Sequence, residues 1–533
     1  MPRILLLLLT SILLLPVSAH DGIQSSRHPA RTFTNPMAWA DLPDPDVIRV
    51  GRYFYMVTTT MHLMPGAPVM RSTDLVNWET VSYVFDRLTD SPKYDIQGGT
   101  VYGRGQWATS LKYHKGRYYV LFAPNDNPGG QTYIYTATDP ADRWTLVSRL
   151  RHFHDASLFF DDDDRVYVVY GTGQMCRLTP DLSAVEAGSD RQLFEREPDE
   201  TGLLEGSRMV KHQGKYYLLM ISWPQGKPRR QVCYRADNIQ GPYEKKTILQ
   251  SEFGGFSYAG QGTIVDAPDG RWYGVIFQDR GAVGRVLTLM PCTWTDGWPM
   301  LGDSLGHIPQ RMALPVQGSS DIPLVGSDTF AQPVLNSQWQ WNHNPVDSAW
   351  SLTARRGFLR LGTSRLSTSL FMAPNTLTCR MQGPRCRAVV DIDVSHLRPG
   401  DRAGMAAFNG DSGLLTLCRE GGATVLTMTQ ESVALGDRNK EVTSVDTLAL
   451  HRVRLSKHRV WLRIDADFRP GTDTATFAYS TDGRRWHTLG PAMKLRFDYR
   501  RFFMGTRYAL FCYATRQSGG YADFGQFDYQ LIH

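Results

Sequence analysis

Three acidic residues occupy matching places in a repeated pattern of this chain. Asp44 lies seven residues before Gly51, Asp155 nine before Asp164, and Glu205 nine before Gly214, and each of the later residues opens a turn followed by basic and aromatic side chains. Carboxylates brought into one pocket repel, so one pKa rises while another falls and the set divides into acid and base. Such a division suits the opening of a glycosidic bond, in which a protonated carboxyl gives its proton to the leaving oxygen and a carboxylate activates water from the opposite face. A third carboxyl can tune and orient the pair. The equivalent places in two further copies carry Trp107-Ala108-Thr109-Ser110 and Gln261, the latter nine residues before Gly270, and both offer contacts to a sugar.

The elements that must position these residues are strands. Five copies of one motif follow each other: Gly51-Arg52-Tyr53-Phe54-Tyr55, Gly116-Arg117-Tyr118-Tyr119, Asp164-Arg165-Val166-Tyr167, Gly214-Lys215-Tyr216-Tyr217 and Gly270-Arg271-Trp272-Tyr273. Each comes after a short apolar stretch and reads as two strands joined by a tight turn. The starts are 65, 48, 50 and 56 residues apart, the size of one propeller blade. Asp74, Asp139 and Asp237 each stand 23 residues after their turn glycine, and Trp78 and Trp144 follow the first two. These read as turn caps with a Trp packed between sheets, a structural and not a catalytic role. Gly and Pro interrupt the region too often for long helices. The expectation is an all-β chain whose residues 28–315 form a five-bladed β-propeller with its site in the central channel.

The strings Leu42-Pro43-Asp44-Pro45-Asp46-Val47-Ile48, His154-Asp155-Ala156-Ser157-Leu158-Phe159-Phe160 and Glu205-Gly206-Ser207-Arg208 resemble glycoside hydrolase family 43. The resemblance implies an inverting five-bladed propeller with Asp44 as general base, Asp155 as pKa modulator and Glu205 as general acid. Inversion carries a separation of roughly 6.5–9.5 Å between the Asp44 and Glu205 carboxyls. Gln278-Asp279-Arg280-Gly281-Ala282-Val283-Gly284-Arg285 is also similar to the family and implies Arg285 as a ligand for sugar hydroxyls, while Trp107 resembles its stacking position. Many relatives carry a His just before the equivalent of Gln261, supporting a metal ion or water in the channel. Gly260 stands there in this chain, which weakens the case for the structural channel Ca²⁺ that the resemblance makes plausible, and no cofactor is expected to be required.

Between Pro315 and Val325 the chain becomes a Gly/Ser/Pro linker, and residues 325–533 read as a second unit. Alternating stretches such as Ala388-Val389-Val390-Asp391-Ile392-Asp393 and Val460-Trp461-Leu462-Arg463-Ile464 argue an antiparallel β-sandwich. The blocks Gln338-Trp339-Gln340-Trp341-Asn342-His343-Asn344-Pro345 and Gly519-Gly520-Tyr521-Ala522-Asp523-Phe524 resemble the concanavalin-A-like, jelly-roll domain of the xylosidase and arabinofuranosidase branch. That resemblance implies a domain that narrows the pocket mouth and favours exo-action, with Phe502-Phe503 as either a contact to the site or core packing.

Bulk properties agree with two folded domains. The 533 residues exceed what one core organises, and 42% hydrophobic with 21% charged residues leaves little room for disorder. The charge of +6 forms no basic stripe, so nucleic acid is not an expected partner. Arg3 before the apolar run Ile4–Leu15 and the small residues Val17-Ser18-Ala19 read as a signal peptide over residues 1–19, giving an exported periplasmic or extracellular protein without a membrane span. Seven cysteines form no dense disulfide framework, with Cys379 and Cys386 a candidate pair. The resemblance, with the three acids, implies exo-hydrolysis of α-L-arabinofuranosyl or β-D-xylosyl units from a plant polysaccharide or oligosaccharide. The alternatives are a propeller that binds glycans without turnover, against which the three acids argue, and a sialidase-like enzyme, which needs a Tyr nucleophile and an arginine cluster that the sequence lacks.

Overall fold

The computed structural model describes residues 31–125, 130–256, 259–317 and 322–533. The segment read from the sequence as a signal peptide, residues 1–19, and part of the linker fall outside the described residues. The first domain is a propeller of five four-stranded antiparallel sheets. Their innermost strands are Asp46–Val50, Gln106–His114, Ser157–Phe160, Leu203–His212 and Ala259–Asp266. These five contact one another in a closed ring, the last against the first. Outside the blades, Thr32–Thr34 pairs antiparallel with Arg311–Ala313 and joins the two ends of the domain.

The five repeated motifs are the turns between the first and second strand of each blade. Their lead residues all take positive φ: Gly51 62°, Gly116 79°, Asp164 66°, Gly214 77° and Gly270 81°. Four glycines meet that demand without steric cost, and Asp164 is one of the few residue types that tolerates it. The Asp/Trp motifs are outer-blade turns. Asp74 Oδ1 accepts from the N–H groups of Val76 and Asn77 at 2.8 Å, and the Trp144 indole donates to Ser82 Oγ of the neighbouring blade at 3.3 Å.

The second domain is a sandwich of two eight-stranded sheets. One runs from Val442–Leu455 through Ala423–Leu435, Asp411–Glu420, Asp401–Phe408, Arg507–Ala514 and Leu377–Arg380 to Gln340–Asn342. Its eighth strand belongs to the propeller: Leu63–Met64, from the first blade, pairs with Trp341 and Asn342. Alternation places Val460, Leu462 and Ile464 in the core while Trp461 and Arg463 face outward. A single apolar cluster runs through both domains, joining Tyr55, Val57 and Phe122 of the propeller to Trp339, Trp341 and Leu377 of the sandwich. The site on the propeller therefore has a wall fixed by the second domain.

The candidate disulfide is corrected, and the two roles left open for a Phe pair are assigned. Cys379 and Cys386 are buried free thiols in opposing sheets, each packed as an apolar side chain, and the other five cysteines are free as well. Phe502 and Phe503 divide the two roles held open for them. Phe502 is fully buried and stacks on Tyr102 with ring centroids 4.0 Å apart, whereas Phe503, at φ 55°, turns its ring the other way, toward the propeller channel.

Candidate active site

Asp44 and Asp155 each precede an innermost strand, and both are held at positive φ, 55° and 47°. Aspartate tolerates that conformation better than most residues, and the cost that remains is met by the surrounding structure, a situation common where side chains are aimed at a site. Around Asp44, Pro43 and Pro45 restrict the chain on either side. Glu205 lies inside its strand at a β-bulge, where the register shifts between Glu205 and Arg208 and Gly206 takes φ 77°. The bulge re-aims the Glu205 side chain into the channel.

The three carboxylates line one cavity of about 700 Å³, together with Trp107, Gln261 and Arg285. Its remaining lining is largely apolar and comes from both domains, Ile221, Trp223 and Phe277 from the propeller, Phe497, Tyr499 and Phe503 from the sandwich. An apolar pocket with a few convergent polar groups is the usual form of a small-ligand site.

Each acid has a distinct environment. Asp44 is buried, and its Oδ2 accepts from Thr59 Oγ1 at 2.6 Å with Arg285 Nη1 3.7 Å away. Asp155 is also buried. Burial first, and the neighbouring Glu205 charge second, push its carboxyl up to about 7. Glu205 is half-exposed and lies 3.0 Å from His154 Nε2. That hydrogen bond holds His154 well above the usual imidazole range, at about 9, so at neutral pH the His154–Glu205 pair carries a proton.

Sequence reasoning assigned no role to Arg208 or His154, although both stand in the strings that carry the resemblance. Arg208 is fully buried at the centre of the propeller. Its Nη2 donates to the carbonyls of Asp44 and Thr109 at 3.1 Å, and its Nε lies 3.7 Å from Asp46 Oδ1. Gln261, with its amide oxygen turned inward, accepts from both Arg208 Nη atoms at 3.1 Å. Gln261 is thereby committed to Arg208 and holds blades one, two, four and five about a single guanidinium. Trp107 is half-buried, its ring 6.1 Å from His154 and 5.7 Å from Phe503.

A channel cation finds a poor fit. A Cβ on Gly260 would lie 2.1 Å from the Phe277 ring, so Phe277 fills the space that an imidazole would need there. The Arg208 guanidinium already occupies the carbonyl groups at the channel centre. His154, Asp155 and Glu205 offer ligand atoms within 4.8 Å of one another, but one of the three is an imidazole nitrogen where Ca²⁺ takes oxygens, and that nitrogen is already engaged by Glu205.

With this geometry in view, comparison with known proteins is decisive about kinship. Residues 33–299 match the model of the glycosyl hydrolases family 43, and residues 327–530 match the β-xylosidase C-terminal concanavalin-A-like domain. The chain belongs to glycoside hydrolase family 43, and it is an enzyme that hydrolyses glycosidic bonds. It is 29% identical over 93% of its length to a β-xylosidase of Formosa agariphila, covering 90% of that protein. Among solved structures, a bifunctional GH43-CE protein of Bacteroides eggerthii superposes with a TM-score of 0.86 at 39% identity, over 95% of this chain and 64% of that one. A GH43 enzyme engineered for both endo-xylanase and exo-arabinofuranosidase activity superposes with the same TM-score, 0.86, at 32% identity over 95% of this chain and all of the other.

Proposed function

We propose that the enzyme is an exo-acting, inverting hydrolase that releases α-L-arabinofuranosyl or β-D-xylosyl units from plant cell-wall polysaccharides or their oligosaccharides. The observation that carries this reading is the convergence of Asp44, Asp155 and Glu205, from three blades, on one pocket partly roofed by the second domain. A pocket walled by Phe497 and Phe503 favours a chain end or side branch over the middle of a polymer.

In this mechanism Asp44, as carboxylate, takes a proton from water as that water attacks the anomeric carbon. Thr59, by its hydrogen bond, and Arg285, 3.7 Å away, orient the Asp44 carboxylate. Glu205 gives a proton to the leaving oxygen as the glycosidic bond breaks, and His154 keeps a proton available at that site. Asp155, buried between them, sets the charge that both feel. Arg285 and Trp107 contact the sugar; Gln261 acts through Arg208. The two matched relatives named for β-xylosidase and exo-arabinofuranosidase activity support both sugars, and pocket shape decides between them.

Hydrolysis of nitrophenyl α-L-arabinofuranoside and β-D-xyloside tests the reading. Glu205→Gln and Asp44→Asn should each lower kcat by roughly 10²–10⁴, the usual size of a general acid or base contribution. Proton NMR of the first-formed sugar should reveal the anomer opposite to the substrate; retention, or turnover that survives either substitution, would overturn it. The polar-apolar-small pattern of Arg3, Ile4–Leu15 and Val17-Ser18-Ala19 supports export of the enzyme to the periplasm or beyond, which amino-terminal sequencing of the mature protein would check.

A further inference from the structure

Arg280 is a buried cation with no anion beside it. It follows the strand Trp272–Asp279, is 4% exposed, and among the described residues forms no ion pair; burial alone pushes its guanidinium down to about 10, so it stays charged at neutral pH. Three aromatic rings surround it, the centroids of Trp39, Phe253 and Phe256 lying 5.3, 5.1 and 4.9 Å from the guanidinium carbon. A charge taken out of water without a counter-ion lowers stability, and departures of this kind gather where function uses them.

What the guanidinium holds is a hairpin. The Phe253 N–H donates to Phe256 O at 2.9 Å and the Phe256 N–H to Phe253 O at 3.2 Å, around Gly254 and Gly255 at φ 59° and 82°. Glycine supplies the positive φ that both central residues of so tight a turn adopt. Gly254 also makes room, since a Cβ there would lie 2.4 Å from Arg280 Nη2. Gln278 Nε2 donates to both hairpin carbonyls, Phe253 O at 3.0 Å and Phe256 O at 2.8 Å. Arg280 Nε donates to Gln278 Oε1 at 2.9 Å, and its Nη2 to Phe253 O at 3.3 Å. The Gln278 amide is thus turned with its oxygen to the guanidinium and its nitrogen to the hairpin, an orientation that a side chain without the fork of donors does not impose.

The hairpin divides its two rings. Phe253 is buried in the core of the fourth and fifth blades, whereas Phe256 is half-buried and lines the catalytic cavity. Asp279 and Gly281, on either side of Arg280 in the chain, line the same cavity, so Arg280 stands behind the wall that they and Phe256 form. The second domain closes the far side of the cage: the Gly383 N–H donates to Trp39 O at 2.8 Å, and a Cβ on Gly383 would lie 2.4 Å from Trp39 Nε1.

We propose that Arg280 is a positioning residue for the substrate: it touches no sugar, and through Gln278 and the surrounding rings it fixes Phe256 as an apolar wall against which the bound sugar packs. The proposal rests on the reading of this cavity as the sugar site. A fixed wall contributes equally to substrate and transition state, so its loss raises KM and leaves kcat unchanged.

The test is a double-mutant cycle in KM and kcat on whichever nitrophenyl glycoside the enzyme hydrolyses. Arg280→Met keeps an apolar side chain in the cage and removes the donors. It should raise KM about fivefold with kcat within about twofold, whereas added to Phe256→Ala it should change KM by less than about twofold. An equal rise in both backgrounds, an unchanged KM in the otherwise wild-type enzyme, or a fall in kcat alone would overturn the proposal. Arg280→Lys, which keeps the charge and loses the fork, carries the same expectations and replaces Arg280→Met should that variant not fold. Hydrogen exchange gives a readout free of substrate: the Phe253 and Phe256 amides should exchange about tenfold faster in either variant, and unaltered exchange overturns the hold on the hairpin. Wild-type protein that hydrolyses neither glycoside would instead sink the catalytic reading, with exchange still deciding whether Arg280 fixes Phe256.

Discussion

Arg285 of the propeller and Phe503 of the sandwich are locked together above the Asp44 carboxylate. Arg285 Nη2 donates to Phe503 O at 3.1 Å, its guanidinium lies 4.4 Å from the Phe503 ring centroid, and its Nη1 is 3.7 Å from Asp44 Oδ2. From Phe503 the contacts continue to Trp107, then to His154, and so to Glu205. One wall of the pocket thus runs unbroken between the two carboxylates proposed as base and acid, and a single residue of the second domain closes it.

Phe503→Ala removes the ring and keeps the backbone carbonyl. A cation–π contact at a partly desolvated site is worth about 0.5–2 kcal/mol, so kcat/KM should fall by about 2- to 30-fold. Unfolding should change little, because the ring lines a cavity. Kinetics on a nitrophenyl glycoside check this, and full activity would mean that the sandwich contributes only support.

Asp41 acts one step further back. Its Oδ1 accepts from the Arg285 N–H at 2.8 Å and its Oδ2 from the Gly505 N–H at 2.9 Å, tying the two loops together. Close packing enforces the same join, since a Cβ on Gly505 would lie 2.2 Å from Val283 O. Asp41→Asn turns an acceptor into a donor and leaves a buried N–H unpaired, at a cost of about 1–3 kcal/mol. The expected result is a lower unfolding temperature together with a lower kcat/KM; loss of stability with normal activity would remove Asp41 from the positioning of Arg285.

His154→Gln tests the proton held beside Glu205. The pair keeps its proton up to about pH 9 because the imidazole is hydrogen-bonded to the carboxylate and faces Asp155 and Asp44. Without the imidazole the proton must reside on a carboxyl, and the alkaline limb of the kcat/KM profile should move to lower pH. A limb that stays in place would show that His154 holds no proton the reaction uses.

The blades were legible because their turns demand residues that tolerate positive φ and their strands alternate, and both leave a mark within a few neighbouring positions. The acids were legible for the same reason, since offsets of seven to nine residues from equivalent turns bring them to one channel. Arg208 was not, because its partners are the carbonyls of Asp44 and Thr109, far away in sequence and identical in type to every other carbonyl. Nor was the passage of Leu63–Met64 into the second domain's sheet, a pairing of two residues that carries no periodicity. Phe502 and Phe503 are chemically the same, and only the left-handed backbone at Phe503 sends one ring to the core and the other to the site.

Acid sensitivity follows from a second pair of groups, at the joint between the domains. His62 of the propeller and His343 of the sandwich are fully buried with their rings 5.1 Å apart, and His343 Nε2 accepts from the Val101 N–H at 3.0 Å. Burial holds both imidazoles down, His343 to about 3 and His62 well below its usual value, with His343 and Arg507 adding to the effect on His62. The unfolded chain takes up these protons near pH 6.5 while the folded one does not, so stability falls as pH drops from 6.5 toward 3. Asp155 works in the opposite sense: raised to about 7, it is protonated earlier in the folded state and gains stability as pH falls through that range. His154, raised to about 9, contributes stability that is complete below pH 6.5 and lost only as pH rises through 9, so it leaves the acid side unaffected. Each uncompensated histidine steepens the loss by about 1.4 kcal/mol per pH unit. Unfolding temperatures between pH 4.5 and 6 should therefore fall more steeply for the wild-type enzyme than for His343→Gln, whatever the absolute stability of the variant. Parallel slopes would mean that the buried pair takes no part in acid unfolding.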